Sequence, residues 1–215
     1  MKTATRQHLT DLLERVPALA SCAEAIEKGF ELWAQTYRRD GKALLCGNGG
    51  SAADCDHIVG ELMKGFMLRR PLPAEHQEAI EKASPASSEY FIQNLQAALP
   101  AISLSSHGAL MTAFINDVKA DMVFAQQVYG LGRAGDIVIG ISTSGNSANV
   151  INALCLAKAL GLTTLGLSGQ GGGRMKEVCD CVIRVPASST PLVQELHLPV
   201  YHTLCLMLEE EFFGN

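Results

Sequence analysis

From Gly41 onward the chain alternates short, unbroken aliphatic runs with stretches of helical spacing, and few folds accommodate that rhythm. The runs are Ala43–Cys46, Ala101–Leu104, Ile137–Ile141, Thr163–Leu167 and Val182–Val185. Continuous apolar character, instead of strict alternation, marks a strand covered on both faces. Helical segments are predicted between and after them, over 51–66, 107–129, 146–160, 172–178 and 190–213. Strand–helix alternation with short loops predicts an α/β domain: a doubly wound parallel sheet of about five strands, flanked by helices. Ahead of it, residues 5–38 predict a helical pair. Leu9, Leu12, Leu13 and Val16 form one stripe, and after Pro17 a second runs through Ile26, Phe30, Trp33 and Tyr37. Residues 74–98 break the rhythm and predict a helical insertion, serving as surface decoration or as a lid near a ligand site. The 215 residues suit one such domain, 1–215, with residues 1–40 as its N-terminal helices.

Composition removes several functional classes. At 47% hydrophobic and 18% charged the chain can bury a large core. Seventeen basic against twenty-two acidic residues, without a basic block, argue against direct nucleic-acid binding, which needs clustered Lys and Arg. The seven cysteines contain no CxxC pair, and Cys46, Cys55, Cys155 and Cys205 sit in apolar or helical stretches, as free thiols do in a reducing compartment. The start, MKTATRQHLTDLLERV, lacks the apolar run of a signal peptide, and no 18-residue apolar span occurs. A cytoplasmic protein with no membrane attachment is expected.

Two loops carry the chemical signal. The first run ends in Cys46-Gly-Asn-Gly-Gly-Ser51 and enters a helix. Gly49 and Gly50 let the backbone approach a ligand, Ser51 is placed to cap the helix, and N–H groups at a helix start attract an anion. Neither GxGxxG nor a P-loop is present. The third run is followed by Ser142-Thr143-Ser144-Gly145-Asn146-Ser147, again leading into a helix. A serine-rich helix cap is the plainer account of these hydroxyls. Four in six residues, however, suit the oxygens of a phosphate, and without Arg or Lys in either loop the expected ligand is one phosphate monoester.

The segments GNGGSAADCDH, GISTSGNSANVINA, GLSGQGGG and VQELHLPVYH together resemble the sugar isomerase (SIS) domain family, and within it the phosphoheptose isomerases, which interconvert sedoheptulose 7-phosphate and a manno-heptose 7-phosphate. The resemblance spans nearly the whole chain apart from the insertion. It implies a five-stranded parallel sheet and a homotetramer with sites at subunit interfaces. It further implies that Ser51, Ser142, Thr143, Ser144 and Ser147 hold the phosphate and that Asn48 lines the sugar site. Asp117 matches a sugar-site aspartate, although a helix-cap role suits it nearly as well.

His57 and Glu61, four apart, share one helix face. Such a pair alone is more often a solvated contact than a metal site. The resemblance implies more, because these isomerases bind zinc through a His and a Glu of the first helix and a Gln and a His of the last. The matching residues are His57, Glu61, Gln194 and His202, with Glu61 and His202 as the implied proton-transfer pair. Eight residues on a regular helix separate Gln194 from His202 by about 12 Å and about 80°. Long side-chain reach, a helix kinked at Pro199 or ligands from two subunits would each reconcile them with one ion.

The chain departs from the family in two places. Lys64-Gly65-Phe66 stands where Gly-Arg-aromatic is usual, and Pro191 replaces a substrate-contacting aspartate. An isomerase of a different sugar phosphate therefore stays open. So does a non-catalytic adaptor like the SIS proteins that associate with the replication initiator DnaA, though those tend to lack the metal-site His and Glu. A sugar-phosphate-sensing regulator ranks last, because no DNA-binding module is appended. Apolar residues around most of the last helix (Leu192, Leu196, Leu198, Val200, Leu204, Leu206, Leu208) point independently to self-association.

Overall fold

A computed structural model describes residues 1–214. Five parallel strands form one sheet: β1 (Ala43–Gly47), β2 (Ala101–Ser103), β3 (Ile137–Ile141), β4 (Thr163–Ser168) and β5 (Cys181–Arg184), in the order β2-β1-β3-β4-β5. Successive residues of β1 and β3 feed two separate cores. Ala43, Leu45, Ile137, Ile139 and Ile141 enter one cluster, and Leu44, Cys46 and Val138 the other. That double burial explains the unbroken apolar runs.

The first core is covered by α1 (Thr3–Arg15), α2 (Ala23–Tyr37), α3 (Gly50–Met63) and α10 (Thr190–Phe213). The second is covered mainly by α7 (Val123–Leu131) and α8 (Ala148–Ala159), with Met175 of the short α9 (Met175–Val178). The insertion forms α4 (Ala74–Ala83) and α5 (Ser88–Asn94), neither of which contributes a fully buried residue. A 3₁₀ turn, Pro17–Cys22, links α1 to α2.

One local expectation is corrected. The segment 107–129 is not one helix: α6 (Gly108–Asp117) ends at Val118, and a 3₁₀ turn at Ala120–Met122 leads into α7. The last helix runs from Thr190 to Phe213 as the spacing predicts, with Pro199 inside it. The missing Pro199 N–H leaves the carbonyl of Glu195 without its helical donor, a small cost because Glu195 is exposed to water.

α3 and α10 lie side by side and parallel, and their contacts keep a nearly constant sequence offset. Gln194 meets Gly50, Tyr201 meets Asp54 and His57, His202 meets His57, and Glu209 meets Phe66. The lower end of this alignment is fastened by a buried ion pair. Glu209 accepts from the backbone N–H groups of Phe66, Met67 and Leu68 at 2.8, 2.8 and 3.1 Å, and from Arg70 Nε at 2.8 Å. Arg70 in turn donates to the carbonyls of Leu62 (2.7 Å) and Glu61 (3.0 Å), two of the groups that the end of α3 leaves without helical partners. The Arg70 and Glu209 side chains are 0% and 1% exposed. Three amide bonds and the guanidinium outweigh burial and hold the Glu209 carboxyl below its ordinary range.

Removing one partner strands the other charge away from water. Glu209→Ala should therefore destabilise the fold by about 3–5 kcal/mol in urea unfolding. Glu209→Gln, which keeps a carbonyl acceptor, should cost less.

Candidate active site

The strand order reverses direction between β1 and β3, and the glycine loop and the serine loop leave the carboxyl ends of these two neighbours. A crevice at such a switch point is where open α/β sheets bind ligands. The two loops are joined directly. Asn48 and Asn149 exchange a reciprocal pair of amide hydrogen bonds, both 2.9 Å.

The glycine loop turns at Gly49, whose φ of 55° and ψ of −122° place it where only glycine is unstrained. Gly49 is also the N-cap of α3, so the expectation that Ser51 caps the helix is not met. Ser51 lies inside the first turn, 4% exposed, and its N–H donates to the Asn48 carbonyl at 3.0 Å. Gly50 lies under the Gln194 amide: a Cβ there would stand 2.5 Å from Gln194 Nε2 and push that side chain aside.

In the serine loop the hydroxyls turn toward one another instead of capping α8. Ser142 Oγ lies 2.9 Å from Ser147 Oγ and 3.5 Å from Ser144 Oγ, and Ser147, the N-cap residue, makes no side-chain cap bond. Thr143 gives its carbonyl to the N–H of Gly169 at 3.0 Å, tying the loop to the turn after β4. That turn presses close. Gly145, at φ 67°, lies so near Gly172 that a Cβ would sit 2.2 Å from the Gly172 carbonyl, and Asn146 Oδ1 accepts from the Arg174 N–H at 3.0 Å. The result is a cluster of neutral hydroxyls, with Ser142 buried.

A second cluster lies further along α3. His57 Nε2 stands 3.2 Å from Glu61 Oε1 and 3.4 Å from His202 Nε2. The other Glu61 oxygen accepts from Lys64 Nζ at 3.0 Å, so the residue in the usual arginine's neighbourhood still brings a cation to this carboxylate. The Phe66 ring packs on His202 with centroids 5.5 Å apart. Burial first, and then the neighbouring His57, press His202 below the ordinary histidine range, which favours a neutral imidazole. Among the described residues, no group of three or more His, Cys, Asp or Glu side chains is placed to hold a metal ion. Glu61, His57 and His202 form a chain of close neighbours.

Two candidates lie apart from this cluster. Gln194 rests against Gly50, level with the glycine loop and eight residues above His202 on α10. Asp117 ends α6 in an exposed position, where its carboxylate accepts from Asn116 Nδ2 at 2.8 Å. Tyr201 and Asp54, which the sequence reading did not single out, belong to the site by contact. Tyr201 OH lies 3.1 Å from His57 Nδ1 and 3.1 Å from Asp54 Oδ1. Their only signals were a polar aromatic beside His202 and an acid one turn before His57.

Comparison with known proteins agrees with this architecture. The SIS domain family matches residues 6–96 and 91–169. The phosphoheptose isomerase of Akkermansia muciniphila is 36% identical over 215 residues, covering all of both chains. That of Desulfovibrio desulfuricans is 42% identical over 177 residues, 82% of this chain and 72% of its own. The solved phosphoheptose isomerase of Neisseria gonorrhoeae superposes with a TM-score of 0.73 at 32% identity, covering 95% of this chain and 96% of its own. The chain belongs to the SIS-domain family, among the phosphoheptose isomerases. It is an isomerase enzyme.

One buried side chain near these loops makes the stability pH-dependent. His197 is fully buried, and neither ring nitrogen has a partner of good geometry, although the Ser168 backbone is in reach. Burial lowers its pKa from 6.5 to about 4. The unfolded chain thus takes up a proton that the folded one refuses, and stability present above pH 6.5 is lost on acidification until about pH 4. The stability difference between wild type and His197→Leu should change by about 1.4 kcal/mol per pH unit across that window and be flat above it, as read from urea unfolding.

Proposed function

We propose that the enzyme interconverts sedoheptulose 7-phosphate and D-glycero-D-manno-heptose 7-phosphate as an aldose–ketose isomerase. The observation that carries this reading is the placement, on one switch-point crevice and its adjoining helix pair, of a neutral hydroxyl cradle and a carboxylate–imidazole cluster. The names of the relatives support the substrate.

In this reading Ser51, Ser142, Thr143, Ser144 and Ser147, with the amides of Gly49 and Gly50, hold the phosphate, while Asn48 lines the sugar path. Isomerisation moves a proton between adjacent carbons through an enediol(ate) and needs a base for the carbon and an acid for the oxygen. Glu61, an acceptor when ionised, takes the proton from carbon and returns it to its neighbour. His202 exchanges a proton with the sugar oxygens. Asn116–Asp117 serves the sugar only where another copy brings it to a site.

Zinc suits the donor set. Bonds of about 2.0–2.1 Å meeting at tetrahedral angles put donor atoms about 3.3–3.4 Å apart, and His57 Nε2 stands 3.2 Å from Glu61 and 3.4 Å from His202. His57, Glu61, Gln194 and His202 would hold the ion, with a neighbouring copy completing a shell that no three His, Cys, Asp or Glu side chains of one described chain provide. Gln194, beside Gly50, reaches that shell only across a subunit boundary. The ion, when bound, polarises the carbonyl and hydroxyl oxygens. A homotetramer with interfacial sites fits the exposed Leu192 and Leu198 that flank Gln194. We assign the enzyme, one SIS domain over 1–215, to the cytoplasm. No described helix is long and apolar enough to cross a membrane.

Purified protein should contain about one zinc per chain and isomerise sedoheptulose 7-phosphate, and His202→Ala should abolish turnover and weaken zinc binding. Normal turnover by that variant overturns the catalytic role. Ser147→Ala removes one hydrogen bond to a charged phosphate, worth about 1.5–3 kcal/mol, so KM should rise at least tenfold while kcat changes less.

A further inference from the structure

The geometry points to Asp54 and Tyr201 as a positioning relay that fixes the tautomer of His57 and so presents its Nε2 lone pair to the site. This inference deepens the zinc reading and rests on it for its purpose, though not for its test.

Tyr201 and His202 are consecutive on α10 and therefore splay by about 100°. His57 of α3 lies between them. Its Nδ1 faces Tyr201 OH at 3.1 Å, and its Nε2 faces His202 Nε2 at 3.4 Å and Glu61 Oε1 at 3.2 Å. The three rings pack edge to face, with centroids 4.9 to 5.5 Å apart.

A phenol has one proton to donate. Tyr201 OH contacts Asp54 Oδ1 at 3.1 Å as well as His57 Nδ1. An ionised carboxylate can only accept, so the phenol proton goes to Asp54. The phenol oxygen can then only accept from the imidazole, which places the His57 proton on Nδ1. Nε2 then faces the Glu61 carboxylate oxygen and a second imidazole nitrogen, a set of acceptors that a bound cation would satisfy. Metal-binding histidines are commonly oriented by a carboxylate in this way, and loss of the outer partner costs about 10- to 100-fold in metal affinity. Here a tyrosine from a different helix is interposed. The relay thereby couples the tautomer of a residue on α3 to the alignment of α10.

The test reads the tautomer directly. In metal-free protein labelled with ¹⁵N-histidine, with His57→Gln used to assign the signal, His57 should appear as the Nδ1–H form. Tyr201→Phe should shift it toward a mixture containing Nε2–H and lower zinc affinity about tenfold or more in a chelator competition. Asp54→Asn, whose amide can donate to the phenol oxygen and so reverse the relay, should move the signal the same way. An Nε2–H form in the wild type overturns the relay, as does an unchanged tautomer and unchanged zinc affinity in Tyr201→Phe. Wild-type protein that shows the Nδ1–H form yet binds no zinc leaves the relay standing and removes the metal reading instead.

Discussion

The Glu209 carboxylate is the point on which the site's geometry turns. It lies buried against three consecutive amides and a guanidinium, so the chain leaving α3 has one place to go: back onto the last turns of α10. Arg70, held by that carboxylate, closes the end of α3 at the carbonyls of Glu61 and Leu62. A group that orders the backbone of Glu61 is thus anchored seven residues beyond His202 on α10. Two helices far apart in sequence are fixed in parallel register, and their facing side chains inherit that register.

Much of the fold was legible because each signal had one physical cause. Strands buried on two faces read as unbroken aliphatic runs, and all five were found within a residue or two of their bounds. The interruption after Asp117 was hidden because Val118 and Met122 sustain the apolar character across it. The continuity of α10 through Pro199 was legible, because its apolar residues keep helical spacing across the proline and Val193, Val200, Tyr201 and Leu204 bury one side of it.

The site was legible in its parts and not in its wiring. Hydroxyl content marked the serine loop, but only coordinates separate hydroxyls that cap a helix from hydroxyls that converge, as Ser142 and Ser147 do. The Asn48–Asn149 clasp joins residues 101 apart and has no sequence signature. Tyr201 reads as an apolar helix residue until its hydroxyl is seen between Asp54 and His57. Long-range pairing is invisible to periodicity because each partner satisfies its own helix's pattern equally well with other neighbours.

The parallel register also sets a length. Gly50 and His57 lie seven residues apart on one rigid helix, about 10 Å along its axis, and Gln194 and His202 lie eight apart on α10, about 12 Å. The glycine loop and the His57–Glu61–His202 cluster therefore occupy two levels of the same helix pair. Shortening that interval would require sliding α3 against α10, and the Glu209–Arg70 lock at one end and Gln194 packed on Gly50 at the other oppose any such slide.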